Sequence, residues 1–288
     1  QYQGSTASLF FNKQDTIQAS ETERFSMPSD QAILSNDIFG HFDANRTILL
    51  ASAMRDIARQ AGELTEKMRL AGVTPEIKSD GSVVTPADRA SERLIAEQLH
   101  MIMKDYEDIL PAGTAFVGEE AIEAGDKPDT SAGNFFVVDP IDATKNFVEG
   151  EPGVDLYTIN IGLVLNNIPF LGVIHEPVSG DQIATRDHVS SVISIAGGID
   201  IDLVPGVEND QNGDPLRNYK RGAMSYADLV RGTLKKVSHG KSYEWDTAAQ
   251  DAILRTLGTR ITLQSTGEPL PYNKVEDKFF NPPIIARM

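Results

Sequence analysis

The sequence predicts a protein of mixed α+β or α/β class, and three observations carry that expectation. Leu50, Met54, Ile57, Ala61, Leu64 and Met68 recur at three- and four-residue spacing, the period of a helix with one apolar face. Two apolar runs, residues 157–165 and 168–175, flank Asn166-Asn167, a dipeptide that accepts the left-handed backbone of a tight hairpin turn. Two further short apolar runs, 114–118 and 135–138, have the length and composition of strands.

In chain order, residues 1–40 are polar and rich in Gln, Ser and Thr, and read as an N-terminal extension. The first helix starts at Asp43 and stops at Gly72. A loop, Lys78-Ser79-Asp80-Gly81-Ser82, leads into Val83-Val84. Thr85-Pro86-Ala87-Asp88 then supplies an N-cap, a proline at the first helical position and an acid three residues past the cap. The helix it opens carries Leu94, Ile95, Leu99 and Ile102. After the hairpin, residues 178–221 read as loop-rich. A last helix is expected from near Asp246 to Gly258, followed by a strand at 261–263.

The 288 residues are 40% hydrophobic and 24% charged, ordinary for one large domain or two smaller ones. No apolar run approaches the roughly 20 residues that cross a bilayer, so no membrane partner is expected. There is no cysteine, which excludes disulfides, zinc-thiolate sites and thiol nucleophiles and fits a cytoplasmic setting. No basic stretch leads into an apolar one, so no secretion signal is expected. The first residue is Gln1, and part of the natural N-terminus is expected to precede it. The net charge of −16 disfavours phosphate polymers as partners. A phosphorylated small molecule remains compatible wherever cations invert the local field.

Three segments place acids at the ends of these elements: Gly118-Glu119-Glu120, Asp139-Pro140-Ile141-Asp142-Ala143-Thr144, and Glu244-Trp245-Asp246. Hard divalent cations take oxygen ligands, and Mg²⁺ favours a few carboxylates with water and phosphate oxygens. Pro140 restricts the backbone, so Asp139 and Asp142 can face one centre with the Ile141 carbonyl as a neutral ligand. A helix beginning just past Asp142 presents free N–H groups to phosphate. Each acid also has a plain structural alternative: Asp142 and Asp246 as helix caps, Asp88 as the acid of a capping box, Glu119 and Glu120 as solvated loop charges. Gly240-Lys241-Ser242 has the tail of a phosphate-binding loop without its required glycine, since residue 235 is Lys.

Asp80-Gly81-Ser82-Val83-Val84-Thr85-Pro86-Ala87-Asp88, the Gly118-Glu119-Glu120 and Asp139–Phe147 segments, and Glu244-Trp245-Asp246-Thr247-Ala248-Ala249 together resemble the inositol monophosphatase superfamily. The resemblance runs from about Asp43 to the C-terminus. It implies a layered α/β/α/β/α sandwich of the inositol monophosphatase / fructose-1,6-bisphosphatase type, with an α+β subdomain over 41–180 and an α/β subdomain over 181–288 that adds Asp246 and substrate selectivity. It also implies lithium sensitivity and two Mg²⁺ ions, with room for a third. Glu119, Asp139 and the Ile141 carbonyl would hold the first; Asp139, Asp142 and Asp246 would hold the second, making Asp139 the bridge. Asp88 and Thr144 resemble the pair that orients the attacking water, the N–H groups of Ala143 and Thr144 would receive the phosphate, and Asp80 would assist the third ion.

The C-terminal Gly267-Glu268-Pro269-Leu270, Tyr272-Asn273-Lys274 and Asn281-Pro282-Pro283 are similar to 3′(2′),5′-bisphosphate nucleotidases of the CysQ type. That branch implies release of the 3′-phosphate from adenosine 3′,5′-bisphosphate. The alternatives are an inositol or other polyol monophosphatase such as histidinol phosphatase, and a catalytically impaired homologue kept for binding. A homodimer is a candidate assembly. Three departures stand out: Ala143 replaces the family's usual glycine, the segment before Gly222 is short, and residues 1–40 have no counterpart.

Overall fold

The structure, a computed structural model, describes residues 43–78, 81–154, 156–195, 199–203 and 223–288. The proposed extension, Asp80 and Gly222 lie outside the described residues. Helix α1 (Ala44–Ala71) is capped by the Asp43 carboxylate, which accepts from Arg46 N at 3.0 Å, and ends at Gly72 with φ +87°. Strands β1 (Glu76–Ile77) and β2 (Val83–Val84) pair antiparallel. Helix α2 (Pro86–Asp105) starts in the capping box read from the sequence and packs along α1.

Seven strands form the main sheet. They are β3 (Ala115–Gly118), β4 (Phe135–Asp142), β5 (Thr158–Leu165), β6 (Ile168–Glu176), β7 (Asp181–Thr185), β8 (Ser191–Ile195) and β9 (Ile199–Leu203), in that spatial order. Among the described strands of this sheet, β3 and β4 run parallel and every other neighbouring pair runs antiparallel. Short helices α3 (Glu119–Ala124) and α4 (Thr144–Glu149) follow β3 and β4 directly. Asn166 and Asn167, at φ +51° and +62°, make the expected β5–β6 turn.

Two expectations are refined. Within 178–221, expected to be loop-rich, the described residues include strands: β7, β8 and β9 extend the sheet past residue 180, with Ile183 and Ala184 buried beside β6, while 204–221 lie outside the described residues. These strands are five residues each, too short for their alternation to stand out from the polar residues around them. The last helix starts near Asp246, as expected, but Asp246 does not open it. The chain continues through helix α5 (Ala223–Arg231), strands β10 (Lys236–His239) and β11 (Ser242–Tyr243), and a separate 3₁₀ turn, Glu244–Asp246. Helix α6 (Ala248–Thr256) follows. The Asp246 carboxylate closes the 3₁₀ turn by accepting from Tyr243 N at 2.6 Å, and Thr247, at φ −134°, breaks the path between the two.

Residue period explains the layering. Along β6, Gly172 and His175 are three apart and so face opposite sides of the sheet. A methyl group at Gly62 of α1 would lie 2.5 Å from the His175 ring, and one at Gly172 only 2.2 Å from the Ala249 carbonyl oxygen of α6. Helices α1 and α2 therefore cover one face and α6 the other. Beyond α6, strands β12 (Thr262–Leu263) and β14 (Ile284–Arg287) join β10 in a second sheet, ordered β10-β14-β12, while β13 (Phe280–Asn281) pairs with β11. Val117, Phe135, Ile253, Leu254 and Ile284 fill the core between the two sheets.

Candidate active site

The C-terminal ends of β3 and β4 and the turn before α6 meet at one place. Asp139 and Asp142, at the end of β4, and Asp246 bring carboxylate oxygens within 4.8 Å of one another. Strand β4 carries both of its acids inward because its register on β5 shifts between them, absorbing Pro140 and Ile141. Asp139 is locked by Ile141 N, which donates to its Oδ1 at 3.0 Å. Asp142 Oδ2 faces Thr158 Oγ1 at 3.4 Å and Asn160 Nδ2 at 3.5 Å. Neither Asp142 nor Asp246 caps an α-helix: Ala143 is the cap residue of α4 and Thr247 that of α6.

Glu119 opens α3 beside this triad. Its carboxylate also groups with those of Glu120 and Glu123. Between the three lies the Lys78 ammonium, 2.8 Å from Glu120 Oε1, 3.7 Å from Glu119 Oε1 and in contact with Glu123. Burial alone would lower the Lys78 pKa, yet Glu119 and its two neighbours outweigh it and hold the ammonium above its ordinary value.

So many acids in one place cannot all ionise without a countercharge. Burial raises the Glu119 carboxyl well above the usual range, and Asp246 pushes the same way while Lys78 opposes. Burial also raises Asp139, reinforced by Glu119, Asp142 and Asp246. Asp246 is pushed up to about 7 by burial and then by Asp142. An all-oxygen donor set of excess negative charge, short of cations, is the chemistry a divalent ion of the Mg²⁺ type satisfies.

Asp88 does two things at once. Its Oδ2 accepts from Thr85 N and Thr85 Oγ1, both at 2.7 Å, completing the capping box, while Oδ1 faces Thr144 Oγ1 at 3.3 Å. The Thr144 hydroxyl also lies 2.9 Å from the Ile141 carbonyl oxygen, and its one proton serves one of these acceptors at a time. Burial pushes Asp88 up to about 6 against the opposing Thr85 hydrogen bonds. Ala143, between Asp142 and Thr144, sits at φ +68°, ψ +45°, the left-handed region that an L side chain rarely takes.

Residues 49–192, half of the chain, match the inositol monophosphatase family. The chain belongs to that family. Its members are metal-dependent phosphatases, and the acid cluster suits that chemistry. Inositol monophosphatase 1 of Solanum lycopersicum is 32% identical over 123 residues, 43% of this chain and 41% of that protein, so this match spans about two fifths of that relative. The 3′(2′),5′-bisphosphate nucleotidase CysQ of Aggregatibacter actinomycetemcomitans is 24% identical over 264 residues, 80% of this chain and 89% of that one. The crystal structure of CysQ from Bacteroides thetaiotaomicron superposes with a TM-score of 0.59 at 23% identity, covering 82% of this chain and 96% of its own. The layered fold of the family is thus the fold seen here.

Several residues at the site carry little local sequence signal. Lys78 is the first residue of the loop that leads into β2. Thr158 and Asn160, the donors facing Asp142, are polar residues in a strand that is buried along its whole length. Glu92, 7% exposed on α2, had one visible signal: an acid four residues after Asp88, on the same helix face. Trp245 is 3% exposed and stacks on Tyr243 with ring centroids 4.6 Å apart, a packing residue beside Asp246.

Proposed function

We propose that this chain is a Mg²⁺-dependent 3′(2′),5′-bisphosphate nucleotidase that hydrolyses adenosine 3′,5′-bisphosphate to AMP and phosphate. The observation that carries the phosphatase reading is the meeting of Asp139, Asp142 and Asp246 within 4.8 Å, next to the Asp88–Thr144 pair. Glu119, Asp139 and the Ile141 carbonyl would hold one ion, and Asp139, Asp142 and Asp246 would hold the other. When bound, the ions supply a water of lowered pKa and stabilise charge on the departing oxygen.

The protein's own groups supply position and proton control. Thr144 donates its hydroxyl proton to Asp88, which leaves the hydroxyl oxygen free to accept from the attacking water and aim it. Asp88, pushed by burial only up to about 6, remains mostly ionised near neutral pH and so keeps its acceptor role toward the Thr144 hydroxyl. The left-handed turn at Ala143 directs the N–H groups of Ala143 and Thr144 toward the phosphate oxygens. No side-chain nucleophile is called for, and water attacks in line with the leaving alkoxide.

The nucleotide branch is supported by the C-terminal similarity and by the length over which the nucleotidase relative aligns, 89% of that protein. The higher identity, 32%, to an inositol monophosphatase over a shorter stretch favours a second reading, a polyol monophosphatase using the same site. Phosphate release from adenosine 3′,5′-bisphosphate, inositol 1-phosphate and histidinol phosphate, compared by kcat/KM, separates the two. Preference for either polyol phosphate sinks the nucleotide assignment.

A further inference from the structure

Helix α3 has an uncapped start. Its N-cap residue is Gly118, which offers no side-chain acceptor, so the first backbone N–H groups of the helix need a partner from elsewhere. Glu92 supplies it from α2. Its Oε2 accepts from Glu120 N at 2.8 Å and its Oε1 from Ala121 N at 2.9 Å. The fit depends on Gly118: a methyl group there would lie 2.4 Å from the Glu92 carboxyl carbon. Two donors meet two acceptors, an arrangement that a carboxylate satisfies and an amide cannot.

Glu92 is one of three consecutive contacts along one face of α2. Asp88 reaches Thr144 at 3.3 Å, Ser91 Oγ donates to the Pro140 carbonyl at 3.1 Å, and Glu92 grips the start of α3. Positions i, i+3 and i+4 share a helix face. A single rigid helix thus ties together the turn after β4, the segment between Asp139 and Ile141, and the turn that carries Glu119.

We infer that Glu92 is a positioning residue for metal binding: it holds the α3 turn so that Glu119 faces Asp139. It touches neither substrate nor ion, and acts through Glu119. The inference rests on Glu119 being a ligand, as proposed above. Groups that orient metal ligands from outside typically change metal affinity by about 10–100-fold when altered. In Glu92→Gln the amide nitrogen faces an N–H, the turn loosens, and Glu119 loses its aim. Gly118→Ala reaches the same turn from the other side.

The test is isothermal titration of Mg²⁺ into the metal-free full chain, for the parent, Glu92→Gln, Glu92→Asp, Gly118→Ala, Glu119→Gln and Leu99→Val. Leu99→Val, on α2 but away from the turn, controls for lost stability alone. Glu92→Gln and Gly118→Ala should weaken, about 10-fold, the class of Mg²⁺ sites that Glu119→Gln abolishes. Glu92→Asp, which keeps both acceptors, should recover part of the loss, and Leu99→Val should bind like the parent. The Mg²⁺ concentration for half-maximal phosphate release should rise in step, with kcat at saturating Mg²⁺ changed much less. Unchanged Mg²⁺ affinity in both Glu92→Gln and Gly118→Ala overturns the role of Glu92. Unchanged affinity in Glu119→Gln overturns it through its premise, and marks the metal assignment as the part that failed.

Discussion

Ala143→Gly should stabilise the protein, against the usual expectation for adding a glycine. Ala143 is held at φ +68°, ψ +45°, where Cβ crowds the following carbonyl at a cost of roughly 1–2 kcal/mol. Glycine removes that cost and adds chain entropy to the unfolded state, which returns about 0.4–1 kcal/mol. The net gain is about 0.5–1 kcal/mol, or about 1–4 °C in Tm for a chain of this size. Urea unfolding and thermal melts followed by circular dichroism measure it. Since the N–H of residue 143 keeps its direction, kcat should stay within about threefold, less than 1 kcal/mol of barrier. Ala143→Val, with a branched side chain in the same backbone, should lose stability instead. A lower Tm in Ala143→Gly would refute the strain argument, and a large gain in kcat would show that the alanine impairs catalysis.

Four further outcomes are expected. Asp139→Asn should abolish Mg²⁺-dependent phosphate release while circular dichroism stays native; full activity in this variant sinks the two-ion site. In EDTA, stability should fall as pH rises from about 4 through about 6–7. Asp88, Asp139, Glu119 and Asp246 have raised folded-state pKa values, against about 4 in the unfolded chain, so their contribution is present below about pH 4 and is lost above. Mg²⁺ should therefore raise the urea midpoint more at about pH 8 than at about pH 5.5. Arg69, 4% exposed, donates to the carbonyls of Phe147 at 2.9 Å and Asn146 at 3.0 Å at the far end of α4. Arg69→Met should cost about 2 kcal/mol in urea unfolding and raise KM for the phosphoester. Gly172→Ala, whose new methyl group would lie 2.2 Å from the Ala249 carbonyl oxygen, should cost about 1–3 kcal/mol by forcing α6 off the sheet.

The chain's local chemistry made much of this protein legible. Asp43, Gly72 and the Thr85–Asp88 box bound their helices because caps act over three or four residues, and Asn166-Asn167 made its hairpin because those residues tolerate positive φ. The acids at 139, 142 and 246 stood out by the elements they end, and the fold brings them together. Tertiary structure decided what depends on partners distant in the chain. Whether β7 to β9 are strands depends on β6 offering an edge, and where Asp246 turns depends on β11 being held by β13. Lys78 lies 41 residues or more from the acids it pairs with, and Glu92 lies 28 residues from the turn it caps. Ala143 shows both sides. The sequence marked it as a departure from glycine, but only the folded backbone, pinned between the Asp142 and Thr144 contacts, made it left-handed and so gave the substitution an energy.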